Sequence, residues 1–120
     1  MEINVGMDGE VVVLDMTGDL VASTAEELKG QVSKLIEKNF NYVLLDMSKV
    51  NFMDSSGLGA CIAVHKTLNE SNGMFVCAKP SETVSKVFRV TRADSKISIA
   101  PTRNDGVRLL HEKILERRKK

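Results

Sequence analysis

Apolar and polar residues alternate from the start of the chain. Ile3, Val5 and Met7 are separated by Glu2, Asn4, Gly6 and Asp8, the period of a half-buried strand. Asp8-Gly9 then leads into Val11-Val12-Val13-Leu14, and Asp-Gly between two apolar runs predicts a hairpin. From Ser23 the period changes. Ser23/Glu26 and Thr24/Glu27 have capping-box spacing, and Leu28, Val32, Leu35 and Ile36 share one helical face that ends near Asn39. Tyr42-Val43-Leu44-Leu45 is short, unbroken and apolar, as in a strand covered on both sides.

A second helix is predicted by the stripe Leu58, Cys61, Ile62, His65 and Leu68, closed by Asn72-Gly73. Met74-Phe75-Val76-Cys77 reads as another buried strand. Pro80 suits the first turn of a short helix carrying Val84, Val87 and Phe88. Ile97 and Ile99 mark a last short strand, and Val107, Leu110, His111 and Ile114 a last helix. The order is β-β-α-β-α-β-α-β-α. It predicts an α/β fold with a mostly parallel sheet, an antiparallel opening hairpin and about four covering helices. No linker or repeat divides residues 1–120, so a single domain is expected.

Composition narrows the function classes. Net charge is +1 and aromatics make up 4% of the chain, with no Trp. Nucleic acid is therefore not an expected partner, and no base-stacking platform is available. No stretch has the roughly 18 apolar residues needed to span a bilayer, and no secretory signal is visible at the N-terminus. No membrane partner and a cytoplasmic location are expected. Cys61 and Cys77 lie in apolar runs and suggest buried, reduced thiols. The terminal Arg117-Arg118-Lys119-Lys120 fits the C-terminal end of a helix dipole better than a targeting tag.

The most informative segment joins the third strand to the second helix: Phe52-Met53-Asp54-Ser55-Ser56-Gly57-Leu58-Gly59. Asp54, Ser55 and Ser56 are all capable N-caps. Gly57 and Gly59 each cost a helix about 1 kcal/mol relative to Ala, so a close approach is expected, either to the sheet or to another chain. Leu58, Ala60, Cys61, Ile62, Ala63 and Val64 leave the helix with little hydrophilic surface, which suits either docking to a partner or burial by neighbouring elements of the same chain. A helix N-terminus tolerates a phosphate, although Asp54 opposes it by like charge. On the residues alone the reading of Ser55 as a simple cap is the favoured one.

This segment resembles the signature of the STAS-domain anti-sigma-factor antagonists. Val43-Leu44-Leu45-Asp46-Met47-Ser48 resembles the strand before that signature, and Thr17-Gly18-Asp19-Leu20 resembles the family's Gly-acid-Leu turn. The resemblance runs from about Ile3 to Leu115. It implies a partner-switching cycle. The unphosphorylated protein binds an anti-sigma factor that is itself a serine kinase, which releases the sigma factor. Phosphorylation of the serine after the motif's Asp, here Ser55, switches binding off, and a metal-dependent serine phosphatase restores it. The partner-binding set so implied is Asp19, Val21, Ser23, Asp54, Ser55, Ser56, Gly57, Leu58, Gly59 and Ile62. Val21 stands where such antagonists often carry an acidic residue. The resemblance implies neither a cofactor nor catalysis.

Other readings fit less well. No Gly lies two places before Ser55, so the nucleophile elbow of a hydrolase is missing, and His65 and His111 sit on helical stripes. Two His, two Cys and scattered carboxylates show no metal-ligand spacing, and no P-loop is present. A receiver domain would use Asp46 but lacks an acidic pair at the end of the first strand. The strongest rival is a STAS domain acting as a non-switch subunit or scaffold of a lipid-transport or signalling complex.

Overall fold

The computed structural model describes residues 2–119. The chain forms β1 (Glu2–Asp8), β2 (Val11–Thr17), α1 (Ala22–Glu37), β3 (Tyr42–Lys49), α2 (Ser55–Glu70), β4 (Met74–Ala78), α3 (Glu82–Val90), β5 (Ser98–Ala100) and α4 (Arg103–Arg118). The five strands lie in the order β1-β2-β3-β4-β5. β1 and β2 are antiparallel, with Asp8 opposite Val11, and Gly9 takes φ +60° in the turn. The other pairs are parallel, so each is joined by a helical crossover. One 3-10 turn, Ala93–Ser95, precedes β5 and has no counterpart in the apolar pattern.

Two layers of helix bury the sheet. On one face Val12, Leu14, Val43, Leu45, Phe75 and Cys77 pack under α1, α2 and α3. On the other face Val11, Val13, Leu44, Val76 and Ala78 meet Val107, Leu110 and Ile114 of α4 alone. Covering on both faces explains the unbroken apolar runs of β2, β3 and β4. Cys77 faces Cys61 of α2, and both are free thiols. A hydrogen bond with Cys61 and burial together push the Cys77 thiol well above its ordinary pKa, so it stays protonated.

Three details depart from the pattern. β1 is the edge strand, and Val5 and Met7 are about half exposed rather than buried, while Ile3 reaches the core. α1 begins at Ala22, before either expected cap. Its N-cap is Val21, whose amide donates to Thr24 Oγ1 at 2.8 Å, and Thr24 donates onward to the Asp19 carbonyl at 2.8 Å. Ser23 is therefore an exposed first-turn residue and not a cap. α3 begins at Glu82 because Ser81 caps it, accepting the Val84 amide at 3.2 Å, which leaves Pro80 outside the helix.

Ion pairs fix α4 at both ends. Arg103 donates to Asp15 at 2.8 and 3.2 Å and to Asp46 at 3.2 Å. The Asp46 side chain is 7% exposed and also accepts the Ser48 amide at 2.9 Å. The cation beside two carboxylates compensates a charge that would be costly to bury alone. The same geometry leaves Asp46 committed to structure and removes the receiver-domain reading. At the other end, Arg117 donates to the Gly73 carbonyl at 3.1 Å and the Tyr42 hydroxyl at 3.2 Å, and stacks 5.6 Å from the Tyr42 ring centroid. Arg118 pairs with Glu10. Arg117 and Arg118 thus act as staples to other segments instead of only keeping the helix end solvated, while Lys120 of the same run lies outside the described residues.

Candidate functional site

The motif is built where β2 and β3 end and the two helices that follow them begin. Past the last strand residues, the two chain segments keep running side by side. Leu20 forms a single parallel bridge with Met53. The Leu20 amide donates to the Phe52 carbonyl at 2.9 Å, and the Asp54 amide donates back to the Leu20 carbonyl at 3.3 Å. Leu20 and Met53 are buried, which anchors both segments to the core. The N-termini of α1 and α2 thus share one end of the sheet.

Of three possible caps, the structure selects Asp54. Its carboxylate accepts the Gly57 amide at 3.0 Å, which satisfies one of the orphan donors of α2. Ser55 is consequently the first residue of the helix, and both Ser55 and Ser56 are exposed. The simple-cap reading of Ser55 is set aside by this geometry.

The two glycines have different causes. A Cβ on Gly57 would lie 2.2 Å from the Leu20 carbonyl oxygen and 2.9 Å from Met53, so this glycine is required by the bridge between the segments. A Cβ on Gly59 would meet nothing within 4 Å. Gly59 is exposed, and no contact within the chain accounts for it. The close approach inside the chain is thus found at Gly57.

The structure gathers the predicted residues at this one end. Asp19 is exposed, Val21 half-buried, and Ser23 exposed at the start of α1. Leu58 and Ile62 are half-buried, each packed against the core while keeping part of its surface open. Among the described residues no cation lies within 4.0 Å of the Asp19 or Asp54 carboxylates. Sequence reasoning left Phe52 out of the set. It is 47% exposed beside the motif, and its signal was its place between exposed Asn51 and buried Met53, where a turn can present an aromatic ring.

Neither histidine lies in the motif. His111 pairs with Asp8 at 3.2 Å on the hairpin, and His65 is a half-buried residue of the α2 stripe. Among the described residues no group of three or more His, Cys, Asp or Glu side chains is placed to hold a metal ion. No helix among the described residues is long and apolar enough to cross a membrane.

With this geometry in hand, residues 2–106 match the STAS domain family. The chain belongs to that family. Its relatives include a candidate anti-sigma factor antagonist of Thermotoga maritima, 28% identical over 105 residues, covering 87% of this chain and 93% of that protein. The anti-sigma F factor antagonist of Paenibacillus polymyxa is 27% identical over 104 residues, covering 85% of this chain and 86% of that protein. A Thermotoga maritima crystal structure superposes with a TM-score of 0.85 at 25% identity, covering 91% of this chain and 94% of the other. The anti-sigma factor antagonist SpoIIAA in its unphosphorylated form shares the fold, with a TM-score of 0.65 at 24% identity over 82% of this chain and 86% of that one.

Proposed function

We propose that this STAS domain is an anti-sigma factor antagonist whose docking surface is the end of the sheet around Ser55. In this reading the unphosphorylated protein binds an anti-sigma factor serine kinase and frees a sigma factor. Phosphorylation of Ser55 ends the contact, and a serine phosphatase renews it. The protein performs no catalysis of its own, and the cycle runs in the cytoplasm.

One observation carries the proposal: Ser55 is an exposed first-turn residue because Asp54 holds the cap. A kinase can reach the hydroxyl without unfolding α2. The cap also governs where a phosphate would go. The Gly57 amide already serves Asp54, so the dianion cannot take that donor and meets the Asp54 carboxylate instead. It is driven outward on the helix face that Ser55 shares with Leu58, Gly59 and Ile62. A charge of about −1.5 to −2 placed against a close apolar contact loses hydration and opens it. Val21 removes a carboxylate from the rim, which leaves Asp19 as the acidic group of the turn.

The test is direct. The protein is incubated with its cognate kinase and ATP, and the phosphate is mapped by mass spectrometry. Modification at Ser55 is expected, and modification confined to Ser56 or to another residue refutes the assignment. In titration calorimetry Ser55→Ala retains affinity, while the phosphorylated protein binds at least tenfold more weakly. Equal affinities sink the switch.

A further inference from the structure

The edge of the sheet at β1 carries features that the Ser55 surface does not use. Among the described residues β1 pairs with β2 alone, so one side of its backbone is open. Open edges are commonly blunted by Lys, Pro or a bulge. Glu2–Asp8 has none of these. It runs seven residues in unbroken register with β2, and its charges, Glu2 and Asp8, stand only at its ends. Val5 and Met7 lie opposite Leu14 and Val12, on the face that α1 covers, and are 49% and 52% exposed.

α1 completes this edge. Its flank toward α2 carries Lys29, Val32 and Ser33. The other flank carries Glu27, Gly30, Gln31 and Lys34, one stripe at helical spacing that lines a groove with Ile3 of β1. The stripe has opposite charges at its two ends and its centre between Gly30 and Gln31. Turned end for end, it is its own complement: Glu27 meets Lys34, and Gln31 meets Gly30. Glycine weakens the middle of a helix, and a Cβ on Gly30 would meet nothing within 4 Å, so no contact within the chain accounts for it.

We propose that this edge pairs with the same edge of a second copy of this chain, about a two-fold axis perpendicular to the sheet. The two β1 strands run antiparallel and join both sheets into one. Pairing centred on Asn4 sets Ile3 beside Val5 of the second copy and keeps Glu2 and Asp8 of opposite copies apart. Both α1 helices then lie on one face, antiparallel across the axis. Glu27 of each faces Lys34 of the other, and the bare Gly30 leaves room for the other copy's Gln31. The pairing uses none of the residues around Ser55 and stands whether or not the partner switch operates.

The test is analytical ultracentrifugation of the full chain. A monomer–dimer equilibrium with a Kd of about 100 μM or tighter is expected. Glu27→Lys and Lys34→Glu each turn two attractive pairs into two repulsive ones and weaken self-association about tenfold. Mixing the two single variants restores opposite charges at both pairs, so a heterodimer forms with near-parental affinity. The double variant Glu27→Lys/Lys34→Glu regains it alone. Val5→Lys places a charge on the open strand and leaves the protein monomeric. All three positions are exposed, and unchanged circular dichroism checks that the variants fold. The proposal is overturned if the parent chain is still monomeric at about 1 mM, or if Val5→Lys dimerises as the parent does. Single charge variants that keep the parental affinity, or that mixing does not rescue, also overturn it.

Discussion

The Leu20 carbonyl oxygen sits 2.2 Å from where a side chain on Gly57 would begin. This contact ties the two segments of the motif, because the same carbonyl accepts the Asp54 amide. Gly57→Ala gains helix propensity but cannot fit without moving backbone. Destabilisation by about 1–3 kcal/mol is expected in urea unfolding. A neutral or stabilising result would show that the segments part easily.

Gly59→Ala makes the opposite case. With open space at that position, the new methyl removes the glycine penalty and stabilises the fold by about 1 kcal/mol. The same methyl projects into the surface assigned to the partner. A variant more stable to heat yet at least tenfold weaker in partner titration is the expected pair of results. Unchanged affinity would move the partner off this face of α2.

Arg103→Ala leaves Asp46 buried with only the Ser48 amide to serve it. A loss of about 1–3 kcal/mol is expected by denaturant melting, reduced because Arg103 is itself partly exposed. Adding Asp46→Asn should restore part of that loss, since the uncompensated charge is gone. A double variant no better than the single one would show that Arg103 acts through packing alone.

Asp54→Ala tests the cap apart from the switch. It removes the acceptor for the Gly57 amide and costs about 1 kcal/mol of stability. It also removes the like charge beside Ser55, so the phosphate can turn toward the helix amides. Phosphorylation of this variant should impair partner binding less than in the parent protein. An identical loss would mean that the phosphate acts where it stands, without guidance from Asp54.

The raised pKa of Cys77 sets an alkaline limit. The unfolded thiol loses its proton in the ordinary thiol range, whereas the folded one keeps it. Above that range the unfolded state binds fewer protons, so stability falls as pH rises. The slope is about 1.4 kcal/mol per pH unit, starting near pH 8.5 and continuing up to the folded pKa. Cys77→Ala should flatten it in chemical melts taken across that range.

The element order was legible because each run carried its own period. Val12 and Leu14 face three helices while Val11 and Val13 face one, and an unbroken apolar run records that double cover. The helix starts were less legible. Three residues in a row were competent to cap α2, and only the bridge between Leu20 and Met53 shows why Asp54 is the one turned toward the Gly57 amide. Val21 has no capping side chain, so sequence placed α1 later than the Thr24 hydroxyl allows. The grouping of Asp15, Asp46 and Arg103 spans 88 positions and has no local signature. Val5 and Met7 alternate correctly, yet an edge strand offers fewer neighbours than the pattern assumes.

One practical consequence concerns where this domain can be cut. The family match stops at residue 106, only four residues into α4. Yet Val107, Leu110 and Ile114, beyond that boundary, share one buried cluster with Leu44 and Val76. A fragment ended at the recognised boundary would bare an oily wall running the breadth of the sheet. It should precipitate or pair with its own kind, even though its switch region would be intact.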